Sequence, residues 1–499
     1  MSEEEYDLIV IGGGPGGSTA ASFVAMAGHR VLLLEREWFP RHQIGESLLP
    51  VTIHGICRML GVDGEIERAN FMRKHGGTFR WGKSQEPWTF SFANTWMLSG
   101  QGLDYAFQVE RSRFDEILLR NAGRKGVDVR EGHTVIDTLR EAGRTVGVRF
   151  VDAAGKERRA RAPFVIDAGG HQSKLHQYAG ERVFAKFFQN IALYGYFEHG
   201  KRMPSPDEGN ILCAAFDEGW FWYIPLSPTL TSVGAVVSKE QHAETFKQGY
   251  ERAFQSFVDA CPLIKEYLDG ARRVTEGPYG IFRVRKDYSY CNTQFWAPGL
   301  LLVGDAACFI DPVFSSGVHL TTYAALLGAR TVNTVLRGTL DAHTCMTEFE
   351  TRYRNEYAAF YDFLVGFYDM LQDEKSYFWS ARKVLGTNEA DQEAFVRLVA
   401  GGATAAEDFL EMSGAKREFL KEYVTSRTRQ ETAEEFFARY SNTSFDAKSF
   451  TRNLRRGRAE VLAQATQGEA RTEDPPLRDG GLVPSRDGFH WVAPPKKGT

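Results

Sequence analysis

Apolar residues recur along this chain with two different periods. Leu8-Ile9-Val10-Ile11 is a continuous apolar run of the kind that forms a strand buried on both faces. It runs into Gly12-Gly13-Gly14-Pro15-Gly16-Gly17, and small residues then continue to Gly28, which closes a helix. Val31-Leu32-Leu33-Leu34-Glu35 repeats the buried-strand pattern, so 6–35 is predicted as a βαβ unit. A loop over 41–50 leads into a helix over 51–60. Strands are expected at 77–81, 88–92 and 105–110. A helix over 111–125 is expected from apolar positions 114, 117 and 118. Alternation at 127–130, 133–139 and 145–151 predicts a small antiparallel sheet, and 163–167 another strand, ending at Asp167 before Gly169-Gly170. The β pattern returns at 188–197, 210–216, 219–225 and 229–237. A helix over 239–260, strands at 282–290 and 300–305, and a helix over 317–336 follow. Thereafter Phe349, Tyr353, Tyr357, Phe360, Leu364, Phe367 and Leu371 recur at steps of three and four, the buried stripe of a long helix.

The chain has 499 residues, more than one core usually holds. The order of patterns predicts an α/β protein with a discontinuous nucleotide-binding domain at 1–75, 105–180 and 282–336. A β-rich substrate domain is inserted at 76–104 and 181–281. A helical region at 337–466 and an irregular tail at 467–499, with Pro475-Pro476, Gly480-Gly481 and Pro494-Pro495, complete the expectation. A net charge of −4 speaks against a nucleic-acid partner. No run reaches the ~20 apolar residues of a membrane span, and the acidic start does not resemble a signal peptide. The six cysteines, at 57, 213, 261, 291, 308 and 345, show neither C-x-x-C nor metal spacing. They predict reduced thiols in a cytoplasmic protein, with no metal site.

The glycines at 12, 14 and 17 form G-x-G-x-x-G between strand and helix. Gly12 makes the tight turn, Gly14 lets a pyrophosphate approach, and Gly17 permits helix–strand contact. Glu35, at the end of the second strand, stands where an acid binds a ribose hydroxyl pair. This pattern indicates a dinucleotide without choosing between FAD and NAD. Leu302-Val303-Gly304-Asp305-Ala306-Ala307 is a second strand-to-turn motif far down the chain, as a long FAD requires. Asp305 is placed for ribityl hydroxyls, and the helix start at Ser316-Gly317 for the flavin carbonyl edge.

Gly219-Trp220-Phe221-Trp222-Tyr223-Ile224-Pro225 narrows the chemistry. Together with the glycine fingerprint, Gly45-Glu46-Ser47-Leu48-Leu49-Pro50, and Gly304-Asp305 through Asp311-Pro312-Val313-Phe314-Ser315-Ser316-Gly317, it resembles the flavin-dependent halogenases, and most nearly the chondrochloren type. The resemblance implies an α/β fold with an FAD-binding Rossmann-like domain of the flavin monooxygenase superfamily, an inserted β-rich substrate domain and a helical C-terminal region. It implies FAD, used as FADH2 from a separate flavin reductase, with dioxygen and chloride or bromide. Gly12, Gly14, Gly17, Glu35, Glu46, Ser47, Arg111, Asp305 and Gly317 are then cofactor-binding. The halide lies at the backbone N–H groups of Ser316 and Gly317. A flavin hydroperoxide oxidises it to hypohalous acid. Trp220 and Trp222 keep the organic substrate away from the flavin. The family's lysine, carried onto this chain, is Lys74, which forms a haloamine or polarises the oxidant by a hydrogen bond. Arg73, His75 and Lys83 are its neighbouring alternatives, and Arg73 and Arg80 are expected to help it lose a proton.

One departure from the tryptophan halogenases bears on substrate. They carry a glutamate two residues before the position of Ser316, and this chain has Phe314 there. An electron-rich ring, phenolic or tyrosyl, free or tethered to a carrier protein, is therefore expected, in natural-product biosynthesis. A flavin aromatic hydroxylase of the same fold and a catalytically idle FAD-binding protein remain alternative readings.

Overall fold

The computed structural model describes residues 4–81, 86–94, 102–185, 189–238, 242–286, 288–369, 460–466, 468, 476 and 480–494. The first apolar run is β1 (Leu8–Ile11), the small-residue run is α1 (Pro15–Met26), and β2 (Val31–Leu34) follows. Pro15 opens α1 where a missing N–H costs no hydrogen bond. Gly12 has φ +95°, and a Cβ on Gly17 would collide with the Gly12 carbonyl, so both positions demand glycine. Next come β3 (Met72–Lys74), β4 (Gly76–Arg80), β5 (Trp88–Ser91) and β6 (Ala106–Gln108). They are followed by α2 (Arg111–Arg124), β7 (Asp128–Arg130) and β8 (Phe164–Asp167). Then come β9 (Asn190–Glu198), β10 (Ile211–Phe216), β11 (Gly219–Pro225), β12 (Leu230–Ser238) and β13 (Arg283–Lys286). The last large elements are β14 (Leu300–Leu302), α3 (Ser316–Leu336) and α4 (Ala342–Asp369).

Two sheets carry the molecule. In the first, β14, β8, β1, β2 and β7 lie in that order and are parallel, with Trp296–Ala297 antiparallel at the edge beyond β14. Its central strands are buried along their length, which is why they read as unbroken apolar runs. In the second, β9, β12, β11, β10, β4 and β5 run side by side, and β13 pairs with the outer edge of β9. The β10–β4 pair is parallel and the other pairs are antiparallel.

Several expectations need correction. The sequence pattern puts 282–286 in the nucleotide-binding part, yet the register of β13, Arg283 opposite Tyr194 and Lys286 opposite Ile191, joins it to the second sheet. The expected strand over 282–290 is therefore two strands, β13 and Tyr290–Asn292. The helix over 239–260 is broken at Gly249 (φ +95°) into Ala243–Lys247 and Tyr250–Ala260. The helix over 51–60 is a π-helix, Val51–Cys57, that tightens to α over Arg58–Leu60. The stripe on α4 is buried at Phe349, Tyr353, Tyr357, Phe360 and Leu364, whereas the Phe367 side chain and Leu371 lie outside the described residues. Within the tail expected to be irregular, Val483–Pro484 pairs with Trp491–Val492 as a hairpin. The Trp491 indole N–H donates to Thr331 Oγ1 of α3 at 2.9 Å, and Phe489 packs 5.4 Å from Phe23 of α1.

Candidate active site

A cavity of about 430 Å³ opens where the parallel strands of the first sheet end. Residues just beyond β1 (Gly12, Gly14), β2 (Glu35), β8 (Gly169) and β14 (Asp305) line it, the crevice that such sheets offer to ligands. The glycine turn is pre-shaped: Glu35 Oε2 accepts the Gly13 N–H at 2.6 Å and Oε1 accepts the Glu37 N–H at 2.8 Å. A Cβ on Gly14 would meet only Arg41 Nη2, at 3.4 Å, so its backbone faces the cavity. Arg111 lines the same space, held by Asp115 at 2.7 Å (Nε) and 2.9 Å (Nη2). Asp305 is half-buried at the cavity wall, and desolvation raises its carboxyl while Arg285, Arg111 and Arg182 pull it down. Gly17 packs against the turn and does not line the cavity. An anion-accepting helix start, an acid at the second strand end and a bare backbone at Gly14 fit a dinucleotide such as FAD.

A chamber of about 70 Å³ adjoins this cavity and shares Trp222, Phe309, Pro312, Gly317 and Val318 with it. Glu46, Ser47, Trp220 and Ser315 line only the chamber. Trp220 and Trp222 alternate with Phe221 on β11, so both indoles lie on one face, with ring centres 6.3 Å apart. Their N–H groups are satisfied, Trp220 by the Tyr368 hydroxyl at 2.7 Å and Trp222 by Ser232 Oγ at 3.2 Å. The Ser315 backbone is left-handed (φ 58°), which turns the chain into α3 and puts Gly317 at the wall of both spaces. Ser316 lines neither, and its buried hydroxyl has no partner among the described residues.

Lys74 ends β3 with 2% of its surface exposed. Its Nζ donates to Ser47 Oγ at 2.9 Å, to the Leu48 carbonyl at 3.1 Å and to Ser315 Oγ at 3.3 Å, and stands 5.5 Å from the Phe92 ring centre. Burial pulls the amine down to about 7. Arg73 and Arg80 do not cause this. Arg73 turns away to Glu67 and the face of Tyr105, and Arg80 donates to the Ala215 carbonyl. Lys83 lies outside the described residues. The half-buried Phe314 ring, where a glutamate would stand, lies 6.3 Å from Phe79.

The tryptophan halogenase family profile matches residues 7–101 and 97–450. The chain is 34% identical over 411 residues to tryptophan 2-halogenase of Chondromyces crocatus, covering 79% of this chain and 75% of that one. It is 30% identical over 393 residues to the 1H-pyrrole-2-carbonyl-[peptidyl-carrier protein] chlorinase of Pseudomonas fluorescens, covering 74% and 84%. This chain belongs to the tryptophan halogenase family. The structure superposes on that of the myxobacterial chondrochloren halogenase CndH, an FAD-dependent halogenase, with a TM-score of 0.77 and 55% identity over 98% of this chain and all of that one. A second solved structure, that of the flavin-dependent halogenase CmlS, matches with a TM-score of 0.69 at 31% identity over 85% of this chain and 78% of that one. The protein is thus a flavin-dependent halogenase with the monooxygenase-type fold, and its cofactor is FAD.

Three polar groups of this candidate site are not marked in the sequence. Asn210 Oδ1 accepts the His75 and Gly76 N–H groups at 2.9 and 2.8 Å and so fixes the bend after Lys74. Ser315 meets Lys74 from a distant loop. Tyr196, on β9, reaches Glu46. No local pattern marks any of them, because each acts on a residue far away in the chain. Among the described residues no helix is long and apolar enough to cross a membrane, and all six cysteines are free and buried.

Proposed function

We propose that this halogenase takes reduced FAD from a separate flavin reductase and, with dioxygen, converts chloride or bromide to hypohalous acid that halogenates an electron-rich aromatic ring. The ring is phenolic or tyrosyl, free or carrier-bound. The observation that carries the reading is Lys74, buried, depressed to about 7 and hydrogen-bonded to two residues of the chamber wall, Ser47 and Ser315.

Bound reduced FAD with dioxygen supplies the oxidising equivalents for the halide. The cofactor is held by the Gly12–Gly17 turn, Glu35, Arg111 and Asp305. The backbone of Ser316 and Gly317, at the start of a 21-residue helix, attracts the halide. Glu46 and Ser47 serve the chamber between. Trp220 and Trp222 wall it, and at about 70 Å³ it is well under the ~300 Å³ of small-molecule pockets, which keeps the organic substrate from the flavin. Hypohalous acid reaching Lys74 meets an amine that is neutral in part at neutral pH. An N–halogen bond forms, the O–halogen bond breaks, and water leaves. The ring then takes the halogen and its proton returns to the amine. With Phe314 in place of an acid, that return is left to Lys74, which favours an activated ring.

The test uses purified enzyme with FAD, a flavin reductase, NADH, oxygen and chloride or bromide. Phenols and pyrroles, free and carrier-bound, are screened by mass spectrometry. A halogen isotope pattern on a phenol is expected. Gain of an oxygen atom would instead make the enzyme a hydroxylase.

A further inference from the structure

Halogenation has a proton balance that the groups above leave open. A halide enters as an anion and leaves in a neutral aryl halide. One aromatic C–H, one halide, one dioxygen and neutral reduced FAD give aryl halide, oxidised FAD and two waters only if one proton is also taken up. Lys74 returns to its starting state and supplies none. The proton must therefore enter a chamber walled by Trp220, Trp222 and Val318.

A chain of hydrogen bonds leads there. Glu46 lines the chamber and is 2% exposed. Its Oε1 accepts the hydroxyl of fully buried Tyr196 at 2.8 Å. The same hydroxyl lies 2.8 Å from Nε2 of His42, which is half-buried. We propose that His42, Tyr196 and Glu46 form a proton relay that delivers this proton to the chamber. The reading rests on the halogenase chemistry proposed above.

In one passage, His42 takes a proton from water at Nδ1. Its Nε2 proton moves to the Tyr196 oxygen, and the phenolic proton moves to Glu46 Oε1. Glu46 then gives a proton to the chamber. Every N–H or O–H bond broken is matched by one formed, and nothing is oxidised or reduced. The surroundings set the direction. Burial, with Arg283, Arg111 and Arg41, holds the His42 imidazole down to about 4, so it passes a proton on rather than keeping it. Burial raises the Glu46 carboxyl to about 7, helped by Glu110 and opposed by the Ser232 and Tyr196 hydroxyls and Arg111. Glu46 is therefore poised to give a proton near neutrality. Burial, Glu46, Tyr194 and Tyr279 push the Tyr196 phenol well above its ordinary value, so it conducts without ionising. Tyr279, itself anchored to Glu110 at 2.7 Å, packs 4.3 Å from the Tyr196 ring and fixes its orientation.

Tyr196→Phe, Glu46→Gln and His42→Gln separate this role from a structural one. FAD affinity of Tyr196→Phe and His42→Gln, measured by fluorescence titration, is expected to match the wild type. Turnover of Tyr196→Phe and Glu46→Gln is expected to fall on the order of 10²-fold, the lower end for a lost proton donor, with KM unchanged. Added small carboxylic acids should restore part of the Glu46→Gln rate. Infrared titration of the apoprotein should show a protonated-carboxyl band disappearing about pH 7. The band should be missing in Glu46→Gln and shifted in Tyr196→Phe. Wild-type turnover in Tyr196→Phe, loss of FAD binding in step with rate, or no such band in the wild type overturns the relay. The infrared arm needs no turnover, so it stays decisive even if the wild type fails to halogenate.

Discussion

At Lys74 burial decides the charge, against a smaller opposing pull from Cys213. Among the described residues the amine has no carboxylate partner, and its three hydrogen-bond acceptors are uncharged. Its ordinary value of 10.5 falls to about 7 on folding, so the unfolded chain binds the extra proton between those two values. Stability from this group therefore rises as pH climbs from about 7 towards 10.5, and its full cost is present below about 7. Lys74→Met keeps the volume and removes the buried amine. Its melting temperature is expected to exceed the wild type most at acidic pH, with the gain shrinking above neutrality. The same variant is expected to bind FAD and lose halogenation. Thermal melts across pH, beside product analysis, check both. Lys74 was legible because it precedes a recognisable strand in a family pattern. Its desolvation was not, since Ser47, Leu48 and Ser315 come to it from elsewhere in the chain.

The strand carrying the two tryptophans depends on a missing side chain next door. Trp222 on β11 stands opposite Gly234 on β12, and Gly234 stands opposite Tyr194 on β9. The Trp222 ring lies across Gly234 and reaches Tyr194, with ring centres 5.7 Å apart. A Cβ on Gly234 would occupy the indole itself. Gly234→Val is therefore expected to cost about 1–3 kcal/mol of stability by overpacking. It should also drive the indole out of place and lower halogenation, with Lys74 untouched. Urea unfolding and product yield report the two effects. Alternation along β11 was readable in the sequence, because a strand fixes which side chains share a face. The glycine that makes room for one of them was not, because strand pairing joins residues that no local pattern connects.

Across the whole molecule, a buried charge cluster ties the C-terminal segments to the nucleotide-binding half. Arg330 of α3 donates to Glu460 Oε1 at 2.6 Å, to Gln464 at 2.9 Å and to the Gly488 carbonyl at 2.6 Å. Arg352 of α4 donates to Glu460 Oε2 at 2.9 Å, to Glu348 at 2.6 Å and to the Leu482 carbonyl at 2.8 Å. Both guanidiniums also lie over the Trp491 ring, at 5.2 and 5.0 Å. Removing one carboxylate leaves two buried cations short of charge. Glu460→Gln is expected to cost about 3–5 kcal/mol, the usual penalty for breaking a buried pair. Denaturant unfolding measures it, and the loss should greatly exceed that from Glu244→Gln, an exposed partner of Lys247.

The sequence by itself determined the nucleotide-binding βαβ unit, the strand carrying the tryptophans and the family, and it singled out Lys74 as the candidate amine. These features are local: an apolar run, a glycine spacing and a motif each lie within a few turns of chain. Tertiary structure alone decided that β13 joins the second sheet, that the tail docks on α3, and that Trp222 has room over Gly234. It alone brought Ser47 and Ser315 of the chamber wall to the Lys74 amine, and His42, Tyr196 and Glu46 into one chain of hydrogen bonds. Burial and strand pairing act between residues far apart in sequence, and the low dielectric that shifts Lys74 and Glu46 exists only once those residues have packed.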